Sequence, residues 1–272
     1  MAEQPKSIKL EARVFITFDV KALTGLHIGG AGGGVDIGGV DKTVVRNPVD
    51  NRPYIPGSSL RGKLRSLLEK QQGKVQNQRI NNGFIHSCGA DQNGSTTYPD
   101  CDICQIFGVT GDVKYATPTR LAVRDVLLSD TAAATLEKAH TDLPYTEIKA
   151  EVAIDRITSQ ANPRQMERVP AGTVFEGAEL VYSLYSGDGC EVEKDIARLA
   201  ALCDAMQLLE DDYLGGGGSR GSGRVGLENI RVEMRGGMPL GDREQLASPE
   251  NVGALRAQLV DIQKALRSKV GG

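Results

Sequence analysis

Four residues within nineteen positions restrict this chain more than anything else in it: His86, Cys88, Cys101 and Cys104 spell H-x-C, twelve residues, then C-x-x-C. One imidazole and three thiols at those spacings are a ligand set for tetrahedral zinc. Four protein ligands leave no position open for water or substrate, so such a site is structural. The competing explanation is a chance gathering of cysteines in a loop. With zinc, the stretch from about residue 81 to 111, which has no apolar periodicity, must fold around one point as an inserted module. Cys190 and Cys203 lack partners of this kind and read as ordinary thiols.

Around that module the patterning is regular. Residues 7–20, SIKLEARVFITFDV, alternate apolar and polar side chains as a half-buried strand does. Leu60, Leu64, Leu67 and Leu68 share one face of a helix, with Arg61, Lys63 and Arg65 away from it and Ser58 or Ser59 available to cap its first turn. RLAVRDVLLSD predicts a further strand. Two alternating runs joined by a polar connection, at about residues 145–182, predict a protruding β-hairpin. Residues 191–212 predict a helix and residues near 225–234 a closing strand. Val252, Leu255, Leu259, Ile262 and Leu266 predict a terminal amphipathic helix that docks on its own domain or on a neighbour. Helices kept apart from an antiparallel sheet make an α+β order and not a βαβ repeat. At 272 residues, 40% of them hydrophobic, the chain suits one large domain with an insertion. No apolar run approaches the roughly 20 residues that cross a bilayer, and the first residues lack a signal-peptide core, so a soluble, cytoplasmic protein with no membrane partner is expected.

Two glycine-rich loops lie far apart in the sequence. In GLHIGGAGGGVDIGG eight of fifteen residues are glycine, and since no helix follows, the dinucleotide fingerprint does not apply. Bare amides in such a loop can approach phosphate closely; the plainer reading is a flexible surface loop. LGGGGSRGSGR repeats the chemistry with Arg220 and Arg224, and PGSSLRGKLR adds a helix start with hydroxyls and cations suited to phosphate. Its plainer reading is a solvated basic face. The net charge of −3 hides a local excess of nine Lys or Arg over three acids between Asp41 and Arg79. Two phosphate-gripping loops favour a strand-like polyanion, and 4% aromatics without tryptophan leave backbone contacts and shape to outweigh base stacking. For catalysis the inventory is thin: His27, His86 and His140, no nucleophile elbow and no paired carboxylates. Asp41, beside Lys42 and Arg46, can hold a divalent cation near a phosphodiester, helping a 2′-hydroxyl attack or stabilising the leaving oxygen. Its plainer reading is a turn former.

From about residue 8 to 230, the run GLHIGGAGGGVDIGGVDKTVVRNPVDNRPYIPGSSLRGKLRSLL, then CQIFG, RLAVRD, ERVPAGTVFEG and LGGGGSRGSGRVG, resembles the RAMP superfamily of CRISPR-associated proteins. The likeness is greatest to the backbone subunit of type III effector complexes, in the Csm branch. It implies a modified ferredoxin-like, RRM-like core over residues 1–239 that carries the zinc-binding insertion and a thumb hairpin, with residues 240–272 as a helical extension. It implies that copies stack head to tail along CRISPR RNA beside other type III subunits, each gripping the guide without regard to sequence. The thumb, around Ile154 to Val169, displaces a guide base. The aspartate of an I-G-x-x-D motif, here I-G-G-V-D and hence Asp41, cuts complementary target RNA with a divalent cation such as Mg2+; Asp36 falls outside the motif. Candidate RNA contacts are Gly29, Gly30, Lys42, Arg46, Ser58, Ser59, Arg61, Lys63, Arg65, Arg156, Arg220 and Arg224. The alternatives are a non-catalytic RNA-coating subunit, or a stand-alone RAMP nuclease processing CRISPR transcripts with a histidine such as His27.

Overall fold

The computed structural model of the chain describes residues 7–30, 42–111, 113–237 and 239–270. Along the sequence run β1 (Ile8–Ala22), β2 (Tyr54–Ile55), α1 (Gly57–Gln71), β3 (Gln78–Ile80), β4 (Gly83–Ile85), α2 (Gly94–Thr97), α3 (Asp102–Phe107), β5 (Leu121–Val123) and β6 (Val126–Leu127). There follow α4 (Asp130–Lys138), β7 (Glu147–Ile154), β8 (Ala161–Arg168), β9 (Val174–Gly187), α5 (Val192–Ala197), α6 (Leu199–Asp211), β10 (Val225–Gly236), β11 (Glu244–Ala247) and α7 (Val252–Val270). The main sheet has the order β11-β10-β1-β9-β5, and the pairs β1/β10, β1/β9 and β5/β9 are antiparallel. Stripped of insertions, β1-α1-β5-β9-α6-β10 is a ferredoxin-like β-α-β-β-α-β unit, as expected.

The alternation read in β1 is realised. Ala12, Val14, Ile16, Phe18, Val20 and Ala22 are buried, and α6 and α7 close over this face through Leu199, Cys203, Met206, Leu255, Leu259 and Ile262. The terminal helix therefore docks on its own chain. Phe15 breaks the alternation: it points to the opposite face of β1 yet is 5% exposed. The guanidinium of Arg243, delivered by the segment before β11, lies 3.6 Å from the centre of its ring and pairs with Glu179 at 2.9 Å. Stacking on an aromatic face suits a planar guanidinium.

Several local expectations shift. RLAVRDVLLSD is two short strands, broken where Asp125 turns away and accepts the Gly57 amide at 2.7 Å. That carboxylate, and not Ser58 or Ser59, caps α1, whose N-cap residue Pro56 makes no side-chain cap. Gly57 itself is a packing requirement, since a Cβ there would lie 2.4 Å from the Val123 carbonyl. The helix expected over 191–212 divides at Arg198, which turns into a buried cluster: Arg198 and Arg120 both donate to Asp195, at 3.1 and 3.0 Å, and Arg198 reaches the Pro99 carbonyl at 2.5 Å. The hairpin is β7/β8 alone, in unbroken register from Glu147↔Arg168 to Ile154↔Ala161; the run after it is β9, a central strand. Lys42 to Arg46 forms isolated bridges instead of a continuous strand. Among the described residues no helix is long and apolar enough to cross a membrane.

Candidate nucleic-acid groove and metal cluster

The described part of the first glycine-rich loop, residues 25–30, lies beside the second loop, about 190 residues away in sequence. Gly216 N–H donates to His27 C=O at 2.8 Å and Gly223 N–H to Gly25 C=O at 2.9 Å, while Leu23 N–H donates to Arg224 C=O at 2.8 Å. Glycine is needed for this approach: Gly215 has φ +76°, and a Cβ on it would lie 2.1 Å from the His27 carbonyl. The first loop also pairs with the base of the hairpin, Leu26 and Val169 exchanging both backbone bonds at 2.8 Å. The segment after it joins the same base through Glu167 N–H to Lys42 C=O at 2.9 Å.

Glu167 is the joint of this assembly. It is 2% exposed, and its carboxylate accepts from Val44 N–H at 2.8 Å, Thr146 Oγ1 at 2.6 Å and Arg46 Nη2 at 2.5 Å. Burial alone would raise its pKa; the hydrogen bonds and the Arg46 charge outweigh burial and hold the carboxyl below its usual range. Its carbonyl takes the Nδ1 proton of His27 at 2.6 Å. His27 is itself buried, which leaves it poorly placed as a general base.

The candidate contacts divide by exposure. Gly29, Gly30, Lys42, Ser58, Arg156, Arg220 and Arg224 are exposed, and Ser59 is half-buried. Arg220 touches the hairpin, pairing with Glu151 at 3.2 Å while its carbonyl accepts from Lys149 at 2.8 Å. Arg46 is spent on Glu167, Thr146, Asn51 C=O and Pro144 C=O. Arg65 is 9% exposed and points inward. Lys63 pairs with Asp212 at 2.8 Å and lies 3.7 Å from the centre of the Tyr213 ring, and Arg61 donates to Phe107 C=O. Asp41 and Asp36 lie outside the described residues. Sequence reasoning missed Glu167, Lys149, Glu151 and Tyr213. It also missed Ser222, 2% exposed in the second loop, whose Oγ has no hydrogen-bond partner among the described residues. A lone acid or serine carries no sequence signal of that kind.

His86, Cys88, Cys101 and Cys104, all buried, bring one ligand atom each to within 4.8 Å of one another, so the cluster can hold a metal ion. His86 donates its Nδ1 proton to Val75 C=O at 3.1 Å, which leaves Nε2 facing Cys101 Sγ at 3.3 Å and Cys88 Sγ at 3.7 Å. A histidine oriented through its other nitrogen is what a metal site requires. Cys88 N–H points at Cys104 Sγ from 3.2 Å. Hydrogen bonding from Cys104 pulls the Cys101 thiol down to about 4, and the same bond pushes Cys104 up.

Known proteins resemble this chain in sequence and in fold. The family model of the RAMP superfamily matches residues 19–226. The chain is 35% identical over 261 residues to the CRISPR system Cms endoribonuclease Csm3 of Methanothermobacter thermautotrophicus, covering 88% of this chain and 97% of that one. It is 38% identical over 222 residues to the protein of the same name from Streptococcus thermophilus, covering 81% and 90%. Among solved structures it resembles a chain of the Csm3-Csm4 subcomplex of the type III-A CRISPR-Cas interference complex, with TM-score 0.56, 27% identity and 93% and 97% coverage. Methanopyrus kandleri Csm3, at TM-score 0.61, 19% identity and 94% and 98% coverage, shares the fold.

Proposed function

The chain belongs to the RAMP superfamily, and from that premise we propose that it is the backbone subunit of a type III CRISPR effector complex, binding CRISPR RNA along its phosphates and cutting complementary target RNA. The observation that carries this reading is the union of the two glycine loops against the base of the hairpin. It sets glycine backbone, free of side chains, beside the exposed cations Lys42, Arg220 and Arg224, a track for a sugar-phosphate backbone without base readout. Gly29, Gly30, Ser58 and Ser59 are further contacts we assign to the RNA, and Arg156 sits at the tip of the hairpin that would displace a base. Arg46 and Arg65 hold the protein together and leave the contact set. Zinc is the ion we assign to the four-ligand cluster. The relatives are named endoribonucleases, and Asp41 is the residue we assign to cleavage in this chain. A divalent cation such as Mg2+ would supply charge stabilisation at the phosphodiester. Copies of the same chain and other type III subunits are the proposed neighbours, in the cytoplasm.

The test is Asp41→Ala assembled with guide RNA and offered complementary RNA. Regularly spaced cuts should vanish while affinity stays within a few fold; cutting that continues unchanged would refute the role of Asp41. Arg220→Ala combined with Arg224→Ala should weaken RNA binding, and the salt slope should fall by about 0.7 per lost phosphate contact.

A further inference from the structure

We propose that Arg65 is a positioning residue that couples the metal cluster to helix α1, so that metal occupancy sets the geometry of the RNA groove without any metal ligand touching RNA. The inference rests on the proposed RNA binding for its affinity readout.

The sequence makes Arg65 look like a third phosphate-binding cation after Arg61 and Lys63. In the folded chain its guanidinium is a buried hub instead. Nη2 donates to His86 C=O at 2.7 Å, Nη1 reaches Phe107 C=O at 3.4 Å and Gly108 C=O at 3.3 Å, and Nε donates to Glu69 at 2.8 Å. His86 lies on one arm of the metal cluster. Phe107 and Gly108 end α3, which carries Cys104 on the other arm. A bound metal joins those two arms through side chains, and one guanidinium joins the same two arms through carbonyls. Gly108 has φ +76° and ψ 162°, a conformation open to glycine, and a Cβ there would lie 2.5 Å from Thr119 Oγ1. That backbone is built to turn its carbonyl where Arg65 can use it.

Glu69 is 2% exposed, so the Arg65–Glu69 pair is costly to bury unless the remaining donors are satisfied. The carbonyls that satisfy them belong to the metal-bound arms. When the metal leaves, those arms lose their cross-link, the buried pair loses its acceptors, and α1 must move. Arg61, which donates to the same Phe107 carbonyl, and Lys63, which abuts the second glycine loop through Asp212 and Tyr213, move with it.

The experiment compares full-length protein, metal-loaded and chelator-stripped, for binding to a guide-length single-stranded RNA across a salt series, with amide hydrogen exchange over Leu60–Gln71. Stripping the wild type should weaken binding about tenfold with an unchanged salt slope and should speed exchange in α1. Arg65→Met with Glu69→Gln, which leaves no unpaired buried charge, should show the same loss with metal bound, and stripping it should cost nothing more. Arg65→Lys keeps the charge but cannot span the carbonyls, and should behave like the double variant. Losses that multiply to about a hundredfold, or a salt slope lowered by about 0.7 in the Arg65→Met, Glu69→Gln variant, would overturn the coupling. If loaded wild type bound no RNA, the proposed function would fall, and α1 exchange on stripping would still decide the coupling.

Discussion

The glycine-loop groove and the metal cluster are both built from short elements and loops, yet they are organised in opposite ways. In the cluster, four side chains from nineteen consecutive residues converge on one buried point. In the groove, segments near residues 25, 44, 167 and 216 are laced by backbone hydrogen bonds, with the buried side chain of Glu167 tying several of these segments together. The cluster concentrates its stability in a few atoms. The groove spreads it over many, and so keeps its cations on the outside, where a polyanion can reach them. A local knot can be undone by one substitution; a distributed lattice should yield in proportion to how many of its bonds each residue serves.

The sharpest way to break that contrast is Cys104→Ser. With one ligand of four removed, metal content should fall to background and stability by roughly 4 kcal/mol or more, read by urea denaturation beside metal analysis. A variant that kept its metal and its midpoint would remove the cluster from its structural role. Next in size is Glu167→Ala, which leaves the partly buried Arg46 unpaired and should cost about 3 kcal/mol. The same carboxyl has a pH signature. Its folded pKa lies below the ordinary 4.5, so its stabilisation is complete above 4.5 and is lost as pH falls through the folded value. Acid unfolding of Glu167→Gln should accordingly be shallower than that of the wild type below pH 4.5; equal slopes would remove Glu167 from the centre of the groove.

The smallest effects come from two glycines of the second loop with almost the same backbone. Gly215 and Gly221 have φ +76° and +80°, but a Cβ would strike the His27 carbonyl at the first and meet open space at the second. Gly215→Ala should cost about 2 kcal/mol or more and Gly221→Ala about 1 kcal/mol, the difference measuring the loop-to-loop contact apart from φ strain. Equal costs would mean that the loops merely lie near each other.

The same contrast explains what the sequence discloses. His86, Cys88, Cys101 and Cys104 are legible because ligand chemistry and spacing are local. The ferredoxin-like core is legible from β1, α1 and α6, whose apolar periods match the faces they bury. The groove's residue types are visible, but its assembly is not: nothing in GLHIGG or GGGGSRGSG announces that Gly25 and Gly223 will meet, because backbone amides are the same in every residue. Charge is legible and its direction is not. Arg61, Lys63 and Arg65 look alike in PGSSLRGKLR, and the inward turn of Arg65 depends on carbonyls supplied by residues 86, 107 and 108. The α1 cap is hidden for a related reason, since Ser58 and Ser59 advertise a cap that Asp125 delivers from 68 residues away.

The family match ends at residue 226, but the fold does not permit the chain to be trimmed there, or at 240. Shortening the chain to residue 240 would remove Arg243 and leave Phe15 and the pair Glu179 and Glu233 without their shared cation. Without α7, Val14, Ile16 and Val232 would face water along a greasy strip of the central sheet. Such a fragment should precipitate or cling to chaperones, and a screen that lost its RNA signal on truncation would be reporting poor solubility and nothing about an RNA contact in the tail.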